Sequence, residues 1–333
     1  MVRPGPAASQ RARVGGSERT AWPGSAYHGP MATTFAGFPA CSDPAGAAIA
    51  VLGVPNATPY TVGQASHCAG APAALRAALT GYATKPEQYD FDIGGLRPSG
   101  VVDCGDVAGD PFDPAGTRER ITAAVARLLA AGVVPVVLGG DDSVVIPMFQ
   151  AFAGRGPLTV VQIDAHLDWR DEVGGERFGW SSPMRRASEM PWIDRMVQIG
   201  LRGIGSARAG EVADARAWGS TLVTAAELYR TGVGPALDRV PAGARCLVTI
   251  DCDGLDPTVM PGVSARAPGG LLYHHVLELL YGIAAKATIV GFDLVELMPE
   301  RDPSGLSTLT AARIVCNGIA AIAISRGGPA RDT

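Results

Sequence analysis

From Ala47 onward short apolar runs alternate with longer segments of helical periodicity, which is the pattern of a mainly parallel sheet covered on both faces. Eight runs read as strands: Ala48–Val54, Gly100–Cys104, Val133–Leu138, Leu158–Asp164, Met196–Gly200, Thr221–Thr224, Cys246–Asp251 and Thr288–Phe292. Helices are predicted between and after them, over Ala71–Leu79, Gly116–Ala131, Ser143–Ala153, Ala207–Trp218, Leu271–Ala285 and Thr308–Ser325. The last of these is Ala-rich and apolar nearly all round, so it reads as a packed C-terminal helix. No internal repeat and no break in composition follows Met31, which predicts a single domain over residues 31–333.

In open parallel sheets, ligands gather at the carboxyl ends of the strands. Here those ends carry Asp141 and Asp142 after the third run, then Asp164, His166 and Asp168 after the fourth. Asp251, Asp253 and Asp256 follow the seventh run, and Asp293 and Glu296 the eighth. Side chains alternate along extended backbone, so Asp164, His166 and Asp168 would share one face if the strand geometry ran through them. The same spacing recurs at Asp251 and Asp253. So many carboxylates at one sheet edge repel one another unless cations neutralise them, which points to metal.

The bulk properties fit a folded enzyme. The hydrophobic fraction is 47% and the charged fraction 18%, well outside the disordered range. A net charge of -4 supplies no field for nucleic acid. No apolar run is read as reaching the roughly 18–20 residues that cross a bilayer, so no membrane partner is expected. Six scattered cysteines without CxxC spacing suggest reduced thiols and a cytoplasmic protein. Residues 1–30 hold four Arg, one Glu and much Gly, Pro, Ser and Ala. They read as a disordered tail or an artefactual extension ahead of Met31.

The motifs GGDDS, DAHLD, TIDCDGLDP and GFDLVELMP, in this order, resemble those of the ureohydrolase family of arginase and agmatinase, and the loop RDEVGGERFGWSSPMRRASEMPW is closer to the agmatinase-like branch. The resemblance runs from about Ala48 to the C-terminus. It implies a three-layer α/β/α fold with an eight-stranded parallel sheet, and hydrolysis of a guanidino C–N bond by attack of a metal-bridging hydroxide. It implies two divalent ions, manganese before nickel, with Asp164 and Asp251 bridging, His166 and Asp253 on one ion and Asp168 on the other. Asp168 is thereby assigned to the catalytic centre, and Glu296 matches the glutamate that receives the guanidinium. The implied substrate is a small guanidino compound such as agmatine, guanidinobutyrate or an N-alkylated guanidine. The implied assembly is a homo-trimer or hexamer.

Two positions depart from the family pattern. Asp142 stands where most relatives carry a histidine ligand. If it ligates, the set becomes five carboxylates and one imidazole, which favours manganese over later transition metals. Trp180 stands where related sequences often carry a proton-shuttling histidine, and an indole cannot exchange that proton. Glu172 and Glu176 are the nearby acid candidates, while Trp180 itself can stack on a guanidinium. The two departures open a second reading, a catalytically weak or non-catalytic subunit in a hetero-oligomer with an active paralogue, as in hydrolases of biguanides such as metformin. Single-zinc deacylation is disfavoured by the second Asp pair. Asp256 is expected to shape a loop, Asp141 to orient its neighbours, Arg170 and Asp171 to fix a loop, and Arg185 and Arg186 to lie on the surface or at a subunit contact. His274 and His275 are expected to be structural or superficial.

Overall fold

The computed structural model describes residues 33–83, 89–94 and 98–328, so the reading of residues 1–30 lies outside the described part. The strands are β1 (Ile49–Val54), β2 (Val101–Asp106), β3 (Val134–Gly139), β4 (Leu158–Ile163), β5 (Ile193–Leu201), β6 (Thr221–Thr224), β7 (Arg245–Asp251) and β8 (Thr288–Val295). They form one eight-stranded sheet in the order β2-β1-β3-β8-β7-β4-β5-β6, with every neighbouring pair parallel. The helices are α1 (Ala71–Ala78), α2 (Thr80–Ala83), α3 (Pro114–Ala130), α4 (Val145–Gln150), α5 (Pro183–Ser188), α6 (Ala209–Trp218), α7 (Ala225–Thr231), α8 (Gly234–Leu237), α9 (Tyr273–Lys286) and α10 (Leu306–Ser325).

The sheet is buried on both faces, as the continuous apolar runs require. Every residue of β1, β3 and β4 is buried. One apolar layer joins the sheet to α1, α9 and α10 around Leu75, Leu279, Ile283, Ile314 and Ile319. The opposite layer joins it to α3, α4 and α5 around Ile121, Leu128, Met148, Phe149 and Met184. The result is the expected three-layer α/β/α arrangement.

All eight strands lie where the apolar runs place them, while several ends differ. β8 continues to Val295, past the expected stop at Phe292, because Asp293 is accommodated inside the sheet by the hydroxyl of Thr249 at 2.7 Å. α3 starts earlier than Gly116, since Asp113 caps it by accepting from the Gly116 amide and Pro114 fits the first turn. The helix expected over Ser143–Ala153 is instead a 3-10 turn at Asp142–Val144 followed by the short α4. α10 corrects the statement that no segment is long and apolar enough to cross a bilayer: by length and composition it qualifies. Its window is 61% buried within this structure, against α1, α9 and β8, which is the packing of a core helix.

Chain order and spatial order part company in the middle of the sheet. After β3 the chain crosses to β4, leaving a gap that β7 and β8 later fill. The four adjacent strands β3, β8, β7 and β4 therefore present their carboxyl ends side by side, at the place where the order reverses and such sheets take ligands.

Candidate metal centre

The ends of β3, β4 and β7 turn by the same local device. Asp141 accepts a hydrogen bond from the amide of Ser143 at 3.1 Å, Asp164 from that of His166 at 2.6 Å, and Asp251 from that of Asp253 at 2.7 Å. An aspartate that captures the amide two residues on closes an Asx turn and ends the strand. Extended geometry therefore stops at Ile163, and alternation along a strand is not what brings Asp164, His166 and Asp168 together. Asp168 reaches the cluster with left-handed backbone, φ 51°, and Glu296 at the end of β8 has φ 63°. Such conformations are uncommon in residues with a Cβ and are held by their surroundings. Gly254 lets the two central loops touch, since a Cβ there would lie 2.8 Å from the Asp164 amide nitrogen.

Asp142, Asp164, Asp251 and Asp253 are each under 5% exposed, and Asp168 is 7% exposed. They make two overlapping groups. Donor atoms of Asp164, His166 and Asp253 lie within 4.8 Å of one another, as do those of Asp142, Asp164 and Asp251. Asp164 belongs to both, and Asp251 falls in the second. Asp168 stands beside the second group, within hydrogen-bonding reach of Asp142 and Asp164. Asp142 therefore joins the cluster despite its shorter reach than histidine.

Burial, then mutual repulsion, pushes the Asp142, Asp164 and Asp251 carboxyls well above the usual carboxylate range. Burial opposes charge on His166, yet its 3.1 Å contact with Asp253 and the surrounding carboxylates win, raising it to about 9. These groups fit divalent cations. Asp142 Oδ2 is buried with no hydrogen-bond partner, which in a folded core asks for a ligand. Oxygen donors with one imidazole suit a hard ion such as manganese.

A buried chain of amides supports the ligands. Ser220 donates to Gln198 at 2.7 Å, Gln198 to Gln162 at 2.7 Å, and the Gln162 Nε2 to both Asp164 and Asp168 at 2.7 Å. On the other side Arg202 donates to the carbonyls of Gly200, Asp253, Gly254, Leu255 and Ala267, which fixes the loop after β7. Asp256 clamps the same loop by accepting from the hydroxyl and amide of Thr258 and the amides of Gly269 and Gly270. Burial is the largest single effect and raises its carboxyl, but these bonds together outweigh it and hold the carboxyl at about 2. Neither Gln162 nor Arg202 was singled out from sequence. A glutamine within an otherwise apolar buried strand was the available signal.

Glu296 belongs to neither of these two donor groups. Its Oε1 accepts from the Asp142 amide at 3.0 Å, and its Oε2 lies 2.7 Å from His67 Nε2. His67 sits in the loop ahead of α1, where no sequence motif marks it. Burial lowers its basicity, but Glu296 and then Asp141 more than compensate, with Arg301 opposing. The His67 ring meets Trp180 edge-on at 5.2 Å, and Trp180 packs on Tyr60 at 4.0 Å between centroids. Tyr60 in turn accepts from the Ser181 amide at 3.0 Å. Gly179 is required here, because a Cβ would come within 2.1 Å of the Tyr60 ring.

The remaining candidates lie elsewhere. Glu172 is exposed, and Glu176 accepts from the Phe178 amide at 2.8 Å in a local turn, so neither takes the place of a shuttle. Arg170 pairs with Glu211 at 3.3 Å, and Asp171 with Arg186 at 2.6 Å. Arg186 is only 3% exposed, which corrects its reading as a surface residue: α5 turns it inward onto the loop that carries Trp180. His275 accepts from the Leu272 amide at 3.2 Å and caps α9, while His274 packs against Tyr273.

A parallel α/β/α sheet that gathers acidic side chains at four adjacent strand ends, with donor groups fit for divalent cations among them, defines a class of candidate metal-centre protein. Residues 47–320 match the model of the Arginase family, and the chain belongs to that family. It is 32% identical over 228 residues to human mitochondrial guanidino acid hydrolase, covering 67% of this chain and 64% of that protein. It is 31% identical over 291 residues to guanidinopropionase of Pseudomonas aeruginosa, covering 85% and 89%. The structure of proclavaminate amidinohydrolase from Streptomyces clavuligerus superposes with a TM-score of 0.74 at 30% identity, over 89% of this chain and 98% of that one.

Proposed function

We propose that the chain is a metal-dependent amidinohydrolase that cleaves a C–N bond of a small guanidino compound to urea, or a substituted urea, and an amine. The observation that carries this reading is the pair of donor groups sharing Asp164, with the Glu296 carboxylate turned to the pocket beside them. Asp164, His166 and Asp253 would hold one divalent ion, and Asp142, Asp164, Asp168 and Asp251 the other. Two such ions, manganese by donor chemistry and nickel next, supply Lewis-acid activation of a water for attack on the guanidinium carbon. Glu296 accepts paired N–H bonds from the planar cation and sets its carbon toward the metal side. His67 Nε2 holds a proton at Glu296 and gives it to the departing nitrogen as the C–N bond breaks, so the amine leaves neutral. The gain from such a transfer is typically ~10²–10⁴-fold.

Tyr60 and Trp180 give the pocket an aromatic wall beside Glu296. Flat apolar faces suit an alkyl substituent or the face of a guanidinium, which favours N-alkylated guanidines. The relatives named above bear guanidino substrates in their names, in keeping with this class. The assembly is proposed to be a homo-trimer or hexamer.

The test is to reconstitute the protein with manganese or nickel, count bound metal, and assay urea and alkylurea release over guanidines differing in tail charge. Two ions per chain with turnover of one class is the expected result. Two ions without turnover on any guanidine would overturn the catalytic reading and leave the non-catalytic subunit.

A further inference from the structure

His67, Cys68 and Glu296 form a third group of donors, separate from the carboxylate centre except through Glu296's backbone partner Asp142. Their donor atoms lie within 4.8 Å of one another. The Cys68 Sγ is 3.7 Å from Glu296 Oε2, the same oxygen that His67 Nε2 approaches at 2.7 Å. His67 and Cys68 are adjacent in sequence, yet both side chains reach this oxygen because the chain turns just there. The Cys68 amide donates to the Ser66 hydroxyl, and the Ala71 amide to the Cys68 carbonyl at the start of α1.

The donor set differs in kind from that of the main centre. Carboxylates dominate there and suit manganese. Here a thiol, an imidazole and one carboxylate meet, and thiolate with imidazole selects zinc and its neighbours. Charge favours the same ion: a thiolate, a carboxylate and a neutral imidazole carry 2−, which a divalent cation cancels. Cys68 is fully buried, and burial together with the negative charges of Glu296, Asp141 and Asp251 disfavours a bare thiolate. The same charges attract a cation.

We infer that His67, Cys68 and Glu296 form a regulatory site for a borderline divalent cation of the zinc type, whose occupancy blocks the guanidinium pocket. On binding, the Cys68 thiol releases its proton to solvent as the sulfur–metal bond forms. His67 binds as neutral imidazole, and the proton between His67 and Glu296 is likewise lost. Occupancy takes from the substrate the carboxylate assigned to its guanidinium and removes the proton donor facing it. Inhibition competitive with the guanidine follows, a consequence that rests on the amidinohydrolase reading. The existence of the site does not.

The experiment uses the full chain loaded with manganese and titrated with Co2+ as a spectroscopic probe, then with Zn2+ in the turnover assay. Wild type is expected to develop a thiolate-to-cobalt charge-transfer band that Cys68→Ala lacks, while the variant keeps its two manganese ions and its basal turnover. Zn2+ is expected to raise KM in wild type, with at least about tenfold weaker inhibition in Cys68→Ala, given the share of affinity that one thiolate supplies. Cys252→Ala serves as a control, since Cys252 lies between Asp251 and Asp253. A band that survives Cys68→Ala but vanishes in Cys252→Ala would overturn the site, as would the absence of a band in wild type. A Cys68-dependent band in a protein that turns over no guanidine would uphold the site and reject the amidinohydrolase reading instead.

Discussion

Asp142 and His67 are the two residues on which the chemistry of this pocket turns. Asp142 brings an oxygen where an imidazole was expected, and its buried, unpartnered Oδ2 points to a ligand role. Asp142→Ala is expected to retain the ion held by His166 and Asp253 and to lose the other, measurable as a fall from two bound ions toward one. Asp142→His is expected to keep both and to shift selectivity toward nickel, because imidazole favours later transition metals; competitive loading with equal manganese and nickel reads this directly. His67→Gln keeps a donor to Glu296 but cannot pass on a proton. Its turnover is expected to fall by ~10²-fold or more for substrates with strongly basic leaving amines, and much less for those with weakly basic ones. Since Glu296 raises the basicity of His67, the basic limb of the wild-type pH profile should disappear in this variant. Equal loss across leaving groups would mean that His67 only orients Glu296.

At the scale of the elements, the strand ends work because neighbouring strands lend them support. Gln162 on β4 reaches the candidate ligands Asp164 and Asp168, and Gln198 on β5 holds Gln162 in turn. Gln162→Leu, similar in size but without the amide, is expected to weaken metal affinity by ~10–100-fold, as loss of ligand-orienting partners commonly does, with little change in strand structure. Isothermal titration of the metal-free protein would check it, and unchanged affinity would show the chain of amides to be packing alone. Arg202 ties β5 to the loop after β7. Arg202→Ala leaves several carbonyls without their donor and is expected to cost roughly 3 kcal/mol, visible as a lower denaturation midpoint and looser binding by Asp253.

For the molecule as a whole, the sheet carries a titratable group in its core. Burial pushes the Asp293 carboxyl up to about 7 against the hydrogen bond from Thr249, and its Oδ2 has no partner. A carboxyl raised in the folded state binds a proton more tightly there than in the unfolded chain. Its contribution is therefore most favourable below the unfolded value of 3.8, declines as pH rises, and reaches its minimum once pH passes about 7. Asp293→Asn removes this slope. Relative to wild type, the variant should gain on the order of 4 kcal/mol between acid and neutral pH, read from denaturant unfolding at both. Parallel pH dependence of the two proteins would place the proton elsewhere.

The eight strands, their parallel arrangement and the acidic strand ends were legible because buried parallel strands must be continuously apolar and because chemistry interrupts that pattern visibly. Asp164, His166, Asp251 and Asp253 could be named from spacing and resemblance for the same reason. Three things depended on tertiary structure. The strand order, with β7 and β8 inserted between β3 and β4, decides which loops meet, and no local pattern encodes it. The convergence of Asp164, His166 and Asp168 comes from an Asx turn and a left-handed residue, not from strand alternation. Glu296 lies more than two hundred residues along the chain from the adjacent pair His67 and Cys68, so their meeting exists only once the sheet has closed the distance. Local sequence sets the side-chain chemistry and the period of each element, while proximity between distant segments is a property of the packed fold.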